Sequence, residues 1–189
     1  TSGRTSGLKL MPPLPGVRNA AIIQNPLPLS GGSVRYSVSI PGRGDTGSDM
    51  LAKRDVSAGY FDTMGLTLVA GRVFDDRDGF GAPRVALINE AAALHFFGTA
   101  NAVGRSCTLR GPTTVVGVLP PTFDFGSVFA PGTRIDLFVP FPLTEDDDRH
   151  GNTLALIGRL KPGATLNAAA AELAVLAPRI TAAHPDRNA

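Results

Sequence analysis

Residues 55–104 read DVSAGYFDTMGLTLVAGRVFDDRDGFGAPRVALINEAAALHFFGTANAVG, and the rest of the fold is organised around them. Tyr60, Phe61 and Met64 share one side of a short helical turn, because residues three or four apart are neighbours on a helix, and Gly65 stops it. Residues 66–70 are then expected as a short apolar strand. Gly71-Arg72 turns the chain into the loop Asp75-Asp76-Arg77-Asp78, which is too polar to bury unpaired. Residues 85–88 are apolar on both faces, as in a strand covered on both sides. Asn89 follows at the N-cap position of a helix, where its side-chain oxygen satisfies a first-turn amide, and Glu90 stands near the positive end of the helix dipole. Within that helix Ala91, Leu94 and Phe97 are predicted to share a face, and Gly98 closes it in a left-handed conformation. Strands and helices therefore alternate, which makes the fold class mixed α+β.

The whole chain has 189 residues, enough for one large or two small domains. At such a length roughly two-thirds of the unfolded surface can leave water, so neither a metal nor a disulfide is required for folding. The single cysteine, Cys107, cannot form an internal bridge, and its place in the alternating run Ser106-Cys107-Thr108-Leu109 favours a small buried side chain over a reactive thiol. The net charge is +2. Arg18, Arg35, Arg54, Arg72, Arg84, Arg105 and Arg159 recur singly, whereas a groove for nucleic acid needs clustered cations and aromatic platforms; nucleic acid is excluded as a partner. No apolar run approaches the roughly twenty residues that span a bilayer, and no signal-peptide pattern opens the chain. Taken alone, the sequence reads as a soluble domain.

Outside the central stretch, residues 1–7 are polar and glycine-rich and read as disordered or foreign to the natural chain. Residues 17–25, 34–40 and 51–57 read as strands, and in the second Val34, Tyr36, Val38 and Ile40 share a face opposite Arg35, Ser37 and Ser39. Between the last two lies Arg43-Gly44-Asp45, three common loop residues whose adhesive reading has no supporting context. Residues 106–110 and 113–119 form a predicted hairpin across Gly111-Pro112. Phe123 and Phe125, two apart, face the same way if that segment is extended. Residues 136–141 and 153–160 are further strands. Thr165 caps a last helix with the stripe Leu166, Ala169, Leu173, Leu176 and Ile180, in which Pro178 is expected to kink or end the helix.

Catalytic patterns are absent. His95, His150 and His184 are far apart, and there is no nucleophile elbow, phosphate loop, dinucleotide fingerprint or HExxH. The acidic run Glu145 to Asp148 beside His150, and the Asp76, Asp78, Gly79 fragment, both fall short of an oxygen-ligand pattern for calcium and read as solvated loops. The residues therefore nominate no catalytic, cofactor-binding or metal-binding side chain.

The blocks VSAGYFDTMGLTLVAGRVF, VALINEAAALHFFG, NAVGRS, TTVVGVLPPTFDF, IDLFVPF and IGRLKPGATLNAAAAEL, in this order, resemble the extracytoplasmic core domain of MacB-type ABC-transporter permeases, and most of all the duplicated permeases of acidobacteria. The resemblance implies a porter-like βαβ subdomain, residues 8–69 and 135–189, with an inserted strand-rich, sabre-like subdomain at 70–134. It also implies a non-catalytic periplasmic domain strung between transmembrane helices of the same permease. Those helices would couple it indirectly to a cytoplasmic ATPase, and a periplasmic partner protein or cargo would meet it outside the membrane. No cofactor is implied, and there is room for a homodimer in the full-length protein.

The matching residues Gly59, Tyr60, Phe61, Gly71, Asn89, Gly104, Gly158, Leu160, Pro162 and Gly163 look structural. Arg72 and Arg159 are the two to follow, because a fixed arginine often anchors carbonyls or a carboxylate at a joint between subdomains. Two other classes compete. One is a free-standing periplasmic binding module, and the other is a hydrolase assembled from dispersed Asp75, Asp78, Glu145 and His150.

Overall fold

The computed structural model describes residues 14–24, 35–44, 50–123, 135–141 and 154–183. The described elements are β1 (Val17–Gln24), β2 (Arg35–Ser37), β3 (Met50–Val56), α1 (Tyr60–Met64), β4 (Ala70–Gly71), a 3-10 turn (Asp76–Asp78), β5 (Val85–Asn89), α2 (Glu90–Phe97), β6 (Ser106–Thr108), β7 (Pro112–Leu119), β8 (Leu137–Pro140), β9 (Leu154–Leu160) and α3 (Leu166–Ala183). Among the described residues the strands join into one mixed sheet in the order β4-β7-β5-β8-β3-β1-β9, with β2 on β3 and β6 on β7. The β5–β7 and β3–β8 pairs are parallel and the remaining pairs antiparallel. Mixed α+β is thus the architecture the chain adopts.

Strand alternation divides the core in two. Ala86, Ile88 and Leu137 pack with Ala92, Ala93 and Phe96 of α2. Their neighbours Val85, Leu87 and Phe138 pack with Tyr60 and Phe61 of α1 and with Phe74. Every residue of β5 is buried, as expected of a strand covered on both faces. On the α1 side the rings form a connected cluster. Phe61 lies 5.3 Å from Tyr60, 5.8 Å from Phe74 and 5.4 Å from Phe138, each edge to face, and Phe123 lies 5.7 Å from Phe138. Such contacts add to the area these rings remove from water.

The glycines predicted to punctuate the central stretch do so. Gly65 and Gly98 close α1 and α2 at φ 70° and 68°. At Gly71 (φ 82°) a Cβ would stand 2.1 Å from the Val116 carbonyl oxygen, so only glycine lets β4 approach β7 this closely. The 106–119 hairpin forms, and Cys107 is buried between exposed Ser106 and Thr108. Phe125 and Ile180's side chain lie outside the described residues.

Four expectations need correction. Residues 66–69 are not strand: the Leu66 amide still donates to Phe61 at 2.9 Å, and ladder pairing with β7 begins only where Val69 donates to Val118. The buried face of α2 is Ala92, Ala93 and Phe96, with Leu94 exposed, because Asn89 sets the phase of the helix. Its Oδ1 accepts from Ala92 at 2.7 Å and its amide donates to the Ile135 carbonyl at 2.8 Å, and the alanines allow close approach to the sheet. Of the two outcomes expected at Pro178, an ending is the one overturned: α3 runs through it to Ala183, and Ala174, four residues earlier, is exposed, so water can serve the carbonyl that proline leaves without a donor. Among the described side chains of the α3 stripe, Ala169 and Leu176 are buried while Leu166 and Leu173 are exposed. Thr165 does cap the helix, accepting from Ala168 at 3.1 Å.

Candidate functional site

Charged side chains take three fixed positions around the cores. The first follows β4, where Arg72 donates to both carboxylate oxygens of Asp78 at 2.7 and 2.8 Å and to the Val73 carbonyl at 3.1 Å. Asp78 closes a capping box with Asp75: its carboxylate accepts the Asp75 amide, and Asp75 accepts the Arg77 amide and guanidinium. Burial alone would raise the Asp78 pKa, but the Arg72 fork and the Asp75 amide override it and hold the carboxyl below its ordinary value. Asp75 is likewise held low, by its bonds to the Arg77 side chain and amide. Both carboxylates are committed to arginines, so neither is poised as a general base.

The second position is the β9 edge. Arg159 Nε donates to the Thr63 carbonyl at 2.6 Å, in the last turn of α1. Its guanidinium passes so close to Gly65 that a Cβ there would meet Nη2 at 2.7 Å. Arg72 thus anchors a carboxylate and a carbonyl, and Arg159 a carbonyl, each bond lying within one of the two segments expected as subdomains rather than across them.

The third position was missed in the sequence. On β3, Lys53 and Arg54 are buried. Lys53 pairs with Asp55 on one face and lies over the Tyr36 ring, while Arg54, in register with Phe138 of β8, belongs to the other face and donates through Nη1 to the Lys53 carbonyl at 3.0 Å. Opposite charges two apart on a strand share a face, and that spacing was the available signal.

The remaining candidates are scattered. Cys107 is buried, which pushes its thiol up to about 11 and keeps it un-ionised at neutral pH. His95 sits in the last turn of α2 with its ring 4.8 Å from that of Phe96, and its carbonyl accepts from Arg43 at 2.9 Å. Arg43 is thereby occupied at the end of α2; Asp45, Glu145, His150 and His184 lie outside the described residues. Of the dispersed hydrolase set, the two members among the described residues, Asp75 and Asp78, lie together in the capping box. Among the described residues no group of histidine, cysteine and carboxylate side chains has metal-binding geometry, and no helix is long and apolar enough to cross a membrane.

Residues 9–176 match the family model of the MacB-like periplasmic core domain. The chain belongs to this family. As a MacB-like domain it is the extracytoplasmic portion of an ABC-transporter permease. Solved structures with the same fold include the periplasmic region of MacB from Actinobacillus actinomycetemcomitans, 15% identical with a TM-score of 0.60 over 92% of this chain and 71% of that one. A domain of a putative permease protein from Porphyromonas gingivalis is 16% identical, with a TM-score of 0.63 over 94% of this chain and 76% of that one. The extracellular domain of the noncanonic ABC-type transporter YknZ from Gram-positive bacteria is 17% identical, with a TM-score of 0.55 over 84% and 72%. A search of curated proteins returned no match.

Proposed function

We propose that this MacB-like domain is non-catalytic and transmits the movement of the permease's membrane helices to cargo or to a periplasmic partner protein, with ATP hydrolysed by a cytoplasmic domain. The observation that carries this reading is mechanical. One sheet runs unbroken from β4 to β9, and the aromatic cluster of α1 is tied to its far edge by the Arg159–Thr63 bond. A packed interior deforms little, so a displacement at one edge travels as a rigid-body motion to the other. On the same reading, residues 8–69 and 135–189 are the porter-like subdomain and 70–134 the sabre-like insertion. The Tyr60, Phe61, Phe74 and Phe138 rings then act as the joint between them.

The test is made in the full permease, with its ATPase, in reconstituted membranes. Phe61→Ala loosens the joint without touching any membrane or nucleotide site. The expected result is ATP hydrolysis near the unmodified rate with export reduced severalfold. Export that survives unchanged in a folded variant refutes transmission through this joint, and turnover of a small substrate by the isolated domain refutes the non-catalytic reading.

A further inference from the structure

The two halves of the sheet meet at a short seam, where β5 pairs with β8 through Leu87–Phe138 and Ile88–Leu137. The seam separates residues 70–119 from strands β8, β3, β1 and β9. On the α1 face the rings of Phe61, Phe74 and Phe138 bridge it. On the α2 face it is crossed by residues 36–43. Strand β2 lies on β3, and directly after it Ser39 exchanges both backbone bonds with Thr108 of β6. The Ser39 amide donates to the Thr108 carbonyl at 3.1 Å, and the Thr108 amide to the Ser39 carbonyl at 2.8 Å. A turn at Gly42 (φ 80°) then brings Arg43 to α2, where Nη1 donates to the His95 carbonyl at 2.9 Å and the Phe96 carbonyl at 3.5 Å. Both belong to the last turn of the helix, whose carbonyls lack donors within it. The Tyr36 ring spans the same gap, 4.9 Å from Lys53 Nζ of β3 and 5.7 Å from the Arg110 guanidinium beyond β6.

These fastenings differ in kind from the aromatic bridge. Phe61 and Phe138 are sealed in the core, whereas Ser39 and Thr108 are exposed, so water can replace both bonds between them. Within residues 38–43, Val38 is buried and Ile40 partly buried, which leaves little apolar area to hold the segment down. Arg110 is strained as well. Its φ of 93° is the one positive value outside glycine among the described residues, and such a conformation persists only where its surroundings impose it. Few buried side chains and exposed backbone bonds are the properties of a segment that opens ahead of the whole fold.

We propose that residues 38–43 are a clasp, pinned by Arg43 at the end of α2 and by Ser39 on β6, which opens as a unit by local unfolding while the β5–β8 seam and the aromatic cluster stay closed. With the clasp shut, the two halves of the sheet are fastened on both faces and move as one body. With it open, the seam is bridged on the α1 face and released on the α2 face, the arrangement of a hinge. The clasp is a property of the domain itself and stands whether or not the domain transmits movement.

Native-state hydrogen exchange of the whole chain, read amide by amide by NMR over a series of low urea concentrations, tests it. The amides of Ser39, Arg43 and Thr108 should exchange together, roughly a hundredfold faster than those of β5 and with little dependence on urea, as in a local opening. Arg43→Ala should speed exchange at Ser39 and Thr108 by roughly a further tenfold and leave β5 unchanged, and Arg43→Lys, which keeps a charged donor, should restore most of the protection. Exchange at Ser39 and Thr108 as slow and as urea-dependent as in β5 overturns the proposal, because the segment would then open only with the whole fold. So does an Arg43→Ala variant that speeds β5 equally, or that leaves Ser39 and Thr108 as they were. The wild-type comparison needs no variant and decides the matter even if Arg43→Ala does not fold.

Discussion

Two strands of similar composition meet opposite fates. VALIN in β5 is buried at every residue, whereas LALIGRL in β9 buries none fully and leaves Leu156 47% exposed. Strand β5 has β7 and β8 as neighbours and a core on each face; β9 ends the sheet with β1 as its neighbour. Helix α3 after it repeats the contrast, with Leu166 at 79% and Val175 at 60% exposure, while Ala92 and Ala93 of α2 are sealed against the sheet. Position in the sheet, not hydrophobicity, decides which apolar residues stabilise the isolated domain. The centre should therefore be intolerant and the β9–α3 margin permissive.

The sharpest way to break that comparison is to cut a ring from the centre. Phe138→Ala removes the side chain that Tyr60, Phe61 and Phe123 all touch, and is expected to lower unfolding stability by about 3–5 kcal/mol in urea titration. A loss under about 1 kcal/mol would mean the cluster is loosely packed. Next comes Gly71→Ala. Its new Cβ would press on backbone, the Val116 carbonyl at 2.1 Å, from a φ of 82° that L residues rarely adopt. The β4–β7 approach must then open, at roughly 2–3 kcal/mol by the same titration.

The contrast also explains what the sequence could and could not reveal. Local chemistry was legible: the Gly65 and Gly98 stops, the Asn89 and Thr165 caps, the two-faced burial of β5 and the inert Cys107 follow from residue types and their nearest neighbours. Long-range placement was not. An apolar stripe in α3 reads the same whether or not a partner lies opposite, so Leu166 and Leu173 looked like core. The phase of α2 depends on the bond from Asn89 to Ile135, a residue distant in sequence, which no local period encodes. Arg72 and Arg159 drew notice as arginines at turns, but their partners Asp78 and Thr63 appear only in the fold, as does the burial of Arg54.

An intermediate effect is expected where the first anchor meets the core. Asp78 has a side chain 4% exposed, while its partner Arg72 is 39% exposed, so the pair is half screened and Asp78→Asn should lose about 1–2 kcal/mol near neutral pH. The sign of its pH dependence is set by the depressed folded pKa. The contribution is complete above the unfolded carboxylate value of about 3.9 and is lost as pH falls below that toward the folded value. Acid titration of wild type should therefore show a stability decrement below about pH 4 that is diminished in Asp78→Asn. Equal acid slopes would place the depressed carboxyl elsewhere.

The smallest effect belongs to the margin and sharpens the comparison most. Leu166→Ser removes a large apolar side chain, yet at 79% exposure it forfeits little burial and should change the stability of the isolated domain by no more than about 0.5 kcal/mol. Val175→Ser should behave alike apart from a small helix-propensity term. Glu172→Gln on the same helix is the internal control. Its carboxylate takes the Gly16 amide through both oxygens at 3.0 Å, so it should cost more than either leucine or valine change although it removes no apolar surface. If Leu166→Ser instead matched the loss from Phe138→Ala, α3 would be packed in solution and the exposure that separates margin from centre would be wrong. If Glu172→Gln alone frays the helix, α3 is held to the sheet mainly at Gly16. The apolar residues it turns outward would then be free of any structural duty within the domain.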